Sequence, residues 1–308
     1  MSDETPETPK GSTTATVGRV TFEIERQLAL PLAPGLYLVS TPIGHLADMS
    51  LRAVATLARA DVVYCEDTRH SRTLLAHYSI RTPLRPYHEH NAEEQRPRVL
   101  RELADDRVVA LISDAGTPLI SDPGFKLVRD AAAAGHQVIA VPGPSAALAA
   151  LTVACQPTDA FFFAGFLPAK EGARKSRLAE LAAIPATLVF FEAPTRTAAT
   201  LADLAQELGN REAAVARELT KLHEDVRRGT LSDLAQGFAA EAPKGEVVIV
   251  VGPPEQRDIS DAMIEESLAP VLESLSLRDA SRVVADTLKV PKARVYDVAL
   301  SLKRRDRS

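Results

Sequence analysis

Short apolar runs and helical spacings alternate along most of this chain. Residues 36–39, 62–65, 108–112 and 138–141 are runs of apolar positions bounded by Gly, Pro, Ser or Asp. Runs of this kind read as strands buried on both faces of a parallel sheet. Between them, Leu51, Val54, Leu57 and Ala58 recur at helical spacing after Ser50, and another helical stretch runs through Leu75. Residues 125–136 have the same period and end on the stop signal Gly135. The alternation predicts an α/β fold with a parallel sheet.

The connection after the 108–112 strand is the longest of these. It reads SDAGTPLISDPG, residues 113–124, where two to six residues are usual for a βα connection. With two Asp, two Gly and two Pro, it can bring rigid backbone close to a small molecule. In open α/β sheets, ligands sit at the carboxyl ends of the strands. The turn PGPSA, residues 142–146, follows the next strand and offers Ser145 as a helix N-cap. The 113–124 loop and this turn are therefore expected to wall one pocket.

Beyond residue 156 the pattern changes. FFFAGFL, residues 161–167, is aromatic-rich, and a basic stretch with Lys170, Arg174, Lys175 and Arg177 follows. Strands at 187–194 and 213–220, a helix at 198–208 and the apolar run GEVVIVVG read as a second mixed α/β unit. The expected organisation is a disordered tail over 1–33, an N-terminal α/β domain over 34–155, a C-terminal α/β domain over 156–256, and a helical, basic segment over 260–308. Within the tail, residues 20–30 carry enough apolar positions for a short helix or strand.

Composition narrows the class. The 308 residues are 45% hydrophobic and 25% charged, with a formal net charge of −5, values of a soluble globular protein. Residues 278–308 hold nine Lys or Arg against four Asp, which points to a local nucleic-acid contact or to a solvated helix pair. Cys65 and Cys155 form no CxxC, as expected in a reducing cytoplasm. No run approaches the ~20 apolar residues of a membrane span, and the polar N-terminus lacks a signal-peptide core.

Candidate chemistry concentrates at two strand ends. EDTRH places Glu66, Asp67, Arg69 and His70 directly after the 62–65 strand. Asp67 either caps the next helix or acts on a substrate; Arg69 suits a phosphate, because its planar fork binds one bidentately. YHEHN supplies His88, Glu89 and His90. An H-x-H pair can bind metal, but no further ligand cluster accompanies it, and no metal is expected.

These segments resemble the tetrapyrrole-methylase superfamily, and within it the ribosomal small-subunit RNA 2′-O-methyltransferase I family. The resemblance rests on STPIGHLADMSLRA, CEDTRHSRTLL, YHEHN, SDAGTPLISDPG, PGPSA, GFLPAK, FFEAP, ARELTKLHED, RRGTL and KGEVVIVVG, in family order. His45 stands where the family usually has Asn, and FFEAPTR replaces FYESPHR. The resemblance implies a two-domain fold with S-adenosylmethionine in the interdomain cleft, a homodimer, and 2′-O-methylation of a cytidine in small-subunit (16S) ribosomal RNA. Carried over by position, it implies cofactor contacts at Thr41, Pro42, Ile43, Gly44, Asp114, Ala115, Gly116, Thr117, Pro118, Ser145, Ala146, Phe191, Ala216 and Glu246.

A ribose hydroxyl is a poor nucleophile, so a base helps. Asp67 is the expected orienting base, with His88 and Glu89 as alternates. Arg69, Lys170, Arg174 and Lys175, with Phe166, are the expected RNA contacts. Two rivals stay open: a methyltransferase for a porphyrinoid or other small molecule on the same fold, and a non-catalytic RNA-binding assembly factor.

Overall fold

The computed structural model describes residues 10–255, 260–288 and 290–305. The chain divides into two compact units, Met1–Pro254 and Glu255–Ser308.

The first unit contains two five-stranded sheets. The first is wholly parallel, with order β3-β2-β4-β1-β5: β1 (Gly35–Val39), β2 (Val62–Cys65), β3 (Leu84–Pro86), β4 (Val108–Leu111) and β5 (Val138–Val141). Its connections carry α2 (Leu51–Arg59), α3 (Thr68–His77), α4 (Ala92–Ala104) and α5 (Phe125–Ala133). The alternation of side chains along a strand divides the core. Tyr37, Val39, Val63, Cys65 and Ala110 join Leu57, Leu74 and Leu75 of α2 and α3. Leu36, Val62, Tyr64, Val109 and Leu111 face Val99, Leu103 and Leu127 of α4 and α5. Covered on both faces, these strands read as continuous apolar runs rather than alternating ones.

The second sheet is mixed, with order β6-β7-β10-β8-β9: β6 (Phe161–Phe166), β7 (Thr187–Glu192), β8 (Glu212–Arg217), β9 (Asp225–Thr230) and β10 (Val247–Val251). Only β6 and β7 run parallel. One face packs on Leu178, Leu181, Leu201, Leu204, Leu234 and Phe238, from α7 (Glu171–Leu181), α8 (Thr197–Leu208) and α9 (Leu231–Ala240). The other face, with Val189, Ala214, Ala216, Val248 and Val250, packs on Ala147, Ala150 and Leu151 of α6 (Ala146–Val153). Thus α6, which follows the last strand of the first sheet, seats on the second. Ile43, from the loop after β1, joins the same cluster.

The N-terminal segment departs from expectation. Residues 10–29 form α1 (Lys10–Ala29) rather than a disordered tail. Glu23 accepts from Arg26 at 2.7 and 2.9 Å and from Gln27 at 2.8 Å, and the Arg59 guanidinium donates to the Leu28 carbonyl at the helix end. The i,i+3 and i,i+4 pairs and this end contact supply order that a Thr- and Pro-rich composition does not advertise. Residues 1–9 of the expected tail lie outside the described residues.

The second unit is a helical cluster of α10 (Asp261–Leu272), α11 (Leu277–Leu288) and α12 (Lys292–Arg305). Ile264, Leu268, Val284, Val295 and Ala299 form its core. Arg294 pairs with Asp261 at 2.8 Å. Lys289, Arg304, Arg305 and Arg307 of the basic stretch lie outside the described side chains.

Candidate functional site

Three loops at the carboxyl ends of β1, β4 and β5 are laced together. The backbones of Thr41 and Gly116 exchange hydrogen bonds, with Thr41 donating at 2.9 Å and Gly116 at 3.0 Å. The Ser40 hydroxyl donates to Thr117 Oγ1 at 3.2 Å, and the Thr117 hydroxyl donates to the Pro144 carbonyl at 3.1 Å. A Cβ on Gly143 would lie 2.9 Å from Ser40 Cβ, so the PGP turn reaches this position only with glycine. Ser145 caps α6, accepting from the Leu148 amide at 3.5 Å, as the sequence predicts.

These loops form one side of a cavity of about 380 Å³, within the size range of small-molecule sites. The second sheet forms the other side, through the end of β7 and residues 245–248. Gly245 sits at φ +81°, and a Cβ there would meet Glu218 Oε1 at 2.0 Å. That carboxylate accepts from the Glu246 amide at 3.0 Å and from Lys221 Nζ at 2.9 Å. The wall is therefore held by a glycine that cannot be replaced without moving Glu218.

Of the expected cofactor residues, Ile43, Asp114, Ala115, Gly116, Thr117, Ser145, Ala146, Phe191 and Glu246 line this cavity. Thr41, Pro42, Gly44, Pro118 and Ala216 do not. Thr41 is fully buried in the clip, with its hydroxyl donating to the Ser113 carbonyl at 3.1 Å. Gly44 packs on residues 219–221, and the adjacent His45 amide donates to Thr220 Oγ1 at 3.1 Å. Ala216 is buried beside Val248 in the neighbouring strand. The cavity also takes in Ile120, Ser121, Asp122, Phe166, Glu192, Ala193, Pro194, Gly245, Val247 and Val248. The only signal for Ser121 and Asp122 was the length of their loop.

The lining is mostly apolar, yet four carboxylates reach it: Asp114, Asp122, Glu192 and Glu246. Three are engaged by the protein. Glu192 accepts from Arg196 Nε and the Ala193 amide, each at 2.7 Å, and from the Thr200 hydroxyl at 2.6 Å. Asp114 accepts from the Asp67 amide at 3.0 Å. Glu246 stands 3.4 Å from Lys221 Nζ. Asp122 faces no cation in these contacts; burial, then the negative charges of Glu66 and Asp114, push its carboxyl up to about 6, while the Ser113 hydroxyl pulls the other way.

The three expected catalytic groups stand outside the cavity lining. Asp67 is the N-cap of α3, accepting from the Arg69 amide at 2.8 Å. Arg69 donates back through Nε at 3.1 Å and Nη2 at 2.8 Å, and this holds the Asp67 carboxyl well below the usual carboxylate range. His88 packs edge-on to His90, its amide donates to Asn91 Oδ1 at 2.8 Å, and its Nδ1 is buried without a partner. Glu89 is exposed on the same turn. Among the described residues, no three His, Cys, Asp or Glu side chains gather as metal ligands.

The expected RNA contacts divide. Arg174 is 6% exposed and bound to Asp203 at 2.6 and 2.7 Å, with a further bond to the Ala169 carbonyl. It ties α7 to α8, which corrects its assignment as a substrate contact: a buried guanidinium with a buried carboxylate partner presents nothing to RNA. Lys175 is paired with Glu171 at 2.8 Å and lies 3.7 Å from Asp203. Lys170 is exposed at the start of α7. Arg69 is 87% exposed but already holds Asp67. Phe166 is 59% exposed at the cavity, edge-on to Phe191 with ring centroids 5.6 Å apart.

Residues 35–235 match the model of the tetrapyrrole (corrin/porphyrin) methylases. A Mesorhizobium japonicum protein named ribosomal RNA small subunit methyltransferase I is 51% identical over 277 residues, 89% of this chain and 94% of its own. An Erythrobacter litoralis protein of the same name is 46% identical over 275 residues, 89% of this chain and 98% of its own. Among solved structures, a cobalt precorrin-4 methyltransferase superposes with a TM-score of 0.54 at 19% identity, covering 70% of this chain and 94% of its own. This likeness, at 19% identity, is one of fold. The chain belongs to the ribosomal RNA small subunit methyltransferase I family of the tetrapyrrole methylases.

Proposed function

We propose that this protein is an S-adenosylmethionine-dependent methyltransferase that modifies the 2′-hydroxyl of a cytidine in small-subunit (16S) ribosomal RNA, as a cytoplasmic homodimer. The carrying observation is the cavity at the ends of β1, β4 and β5, in a chain 51% identical to a protein named for methylating small-subunit ribosomal RNA. The walls suit the cofactor. Ile43, Ile120, Phe191, Val247 and Val248 supply apolar surface, while the backbone of 114–117 and 245–246 comes close because glycines stand at 116 and 245.

S-adenosylmethionine, when bound, supplies an electrophilic methyl group on a positive sulfonium. A strongly anionic pocket would favour that ground state over a transition state in which the charge is being lost. The side chains here blunt their own charge: Glu192 is neutralised by Arg196, Asp114 accepts an amide, Glu246 lies near Lys221, and Asp122 binds a proton readily. The laced loops fix the position of the wall, so alignment of the acceptor and exclusion of water are the main catalytic contributions. Phe166, exposed beside the cavity, is suited to stack on an unpaired base, and Lys170 to meet a phosphate.

The test is transfer of labelled methyl from S-adenosylmethionine to unmethylated small subunits, followed by nucleoside analysis. A 2′-O-methylated cytidine is the expected product. Transfer only to a porphyrinoid, or cofactor-independent binding to subunits without transfer, would defeat the reading.

A further inference from the structure

We propose that Asp122 is the proton acceptor for the hydroxyl that becomes methylated, placed on the cavity wall by a loop whose backbone is locked on both sides of it. The proposal rests on the 2′-O-methyltransferase reading above and names a residue for its least determined step.

Asp122 lines the cavity together with Asp114 and Gly116, on the side opposite Phe191 and Val248. Asp67, His88 and Glu89 do not line it. Asp114 and Glu192 are occupied as acceptors, and Glu246 is exposed next to Lys221. Asp122 is half-buried; it accepts from the Ser113 hydroxyl, and the charged groups that face it are both negative: Glu66 from the end of β2, itself pushed up by burial and by Asp114, and Asp114 from its own loop.

Leu119 and Ser121 hold left-handed conformations at φ +74° and +67°, although neither is glycine. Such strain persists only where the surroundings over-determine it, and it gathers at functional sites. Downstream, Gly124 sits at φ +133°, where a Cβ would lie 2.6 Å from Leu119 Cδ2 and 3.1 Å from Leu111 Cδ2. The turn carrying Asp122 is thus closed onto β4, which fixes the backbone that presents the carboxylate.

The ribose oxygen forms a bond to the methyl carbon as the carbon–sulfur bond breaks, and that bond's electron pair stays on sulfur. The hydroxyl proton passes to an Asp122 carboxylate oxygen and then to solvent. A base whose affinity for protons lies near the working pH is the efficient choice for such a step, and the environment of Asp122 tunes it that way.

The experiment uses the full chain with unmethylated small subunits in single turnover, across pH 5 to 8. The wild-type rate should rise with slope one and level off near pH 6. Asp122→Asn should lower the plateau by about 10²-fold or more and remove the acid limb, and Asp122→Glu should restore part of it. Calorimetry should give wild-type affinity for S-adenosylmethionine in Asp122→Asn. A carboxyl carbon signal absent from that variant should titrate near pH 6 in the free protein. Wild-type turnover by Asp122→Asn, an acid limb surviving in it, or a defect confined to cofactor affinity would overturn the assignment. A wild type that transfers no methyl would overturn the functional reading, and the assignment with it.

Discussion

The backbone amide of Asp67 donates to the carboxylate of Asp114 at 3.0 Å, joining the end of β2 to the loop after β4. This bond orders the site through the main chain of Asp67 and leaves its side chain to cap α3 and hold Arg69. A carboxylate that already accepts an amide and a guanidinium is a poor proton acceptor. Asp67→Asn keeps the amide that Asp114 needs, and asparagine is itself a good N-cap. We expect that variant to methylate at close to the wild-type single-turnover rate, with unchanged cofactor affinity. A large fall in rate at saturating cofactor would return the base to Asp67.

Asp122 also makes stability depend on pH. Its carboxyl is raised from 3.8 to about 6 in the folded protein, so between those values the native state binds more protons than the unfolded chain. Stability from this group is therefore present below pH 4 and lost as pH rises to about 6. The full shift would cost about 3 kcal/mol, and partial solvation of a half-buried group reduces that to about 1 kcal/mol. Asp122→Asn should accordingly be more stable than wild type by about 1 kcal/mol at pH 7, and no more stable at pH 4. Urea melts at the two values check this; equal differences at both would mean that the carboxyl titrates normally.

How far the site was legible follows from the distances along the chain. β4 and its long loop were visible as an apolar run followed by Gly, Pro and Asp, and Ser145 was visible as a cap, because each signal lies within a few residues. The opposite wall was visible in no local pattern: Phe191 and Glu246, which line it, were reached only through the family resemblance. Glu192 and Val248 reach the cavity from β7 and β10, strands whose pairing no local pattern states. Arg174 misled for a related reason: a basic run looks solvated until Asp203, one helix later, is found beside it. Asp122 lay in a loop expected to wall the pocket, but only the fold shows what its carboxylate faces.

Gly116 tests the clip between loops. A Cβ there would sit 3.4 Å from Ile43 Cγ2 and 3.8 Å from the Pro144 carbonyl, so space alone does not forbid a side chain. The backbone does: φ is +80°, a conformation that costs an L-residue roughly 1–2 kcal/mol and a β-branched one more. Relaxing it would break both bonds to Thr41. Gly116→Val should lose cofactor binding and melt lower than wild type, with Gly116→Ala milder in both. Retained affinity in Gly116→Val would show that the clip does not shape the pocket.

Arg174 and Lys170 carry the last prediction, since they stand four residues apart and have opposite expected phenotypes. The Arg174 guanidinium and the Asp203 carboxylate are both removed from water and satisfy each other at 2.6 Å. Deleting Arg174 leaves the buried Asp203 with only the more distant Lys175, 3.7 Å away, and breaking a buried pair typically costs 3–5 kcal/mol. We expect Arg174→Ala to lose about 3 kcal/mol of stability, and Arg174→Met with Asp203→Leu to recover much of it, since an apolar pair of similar volume can replace a buried ion pair. At temperatures where Arg174→Met/Asp203→Leu is folded, its affinity for small subunits should match wild type. Lys170→Ala should leave the melting curve unchanged, weaken subunit binding, and flatten its dependence on salt by about one phosphate contact. Chemical denaturation and a salt titration of binding, run on both single variants, separate the two roles. A stable Arg174→Ala with weakened RNA binding would place that guanidinium back at the substrate surface.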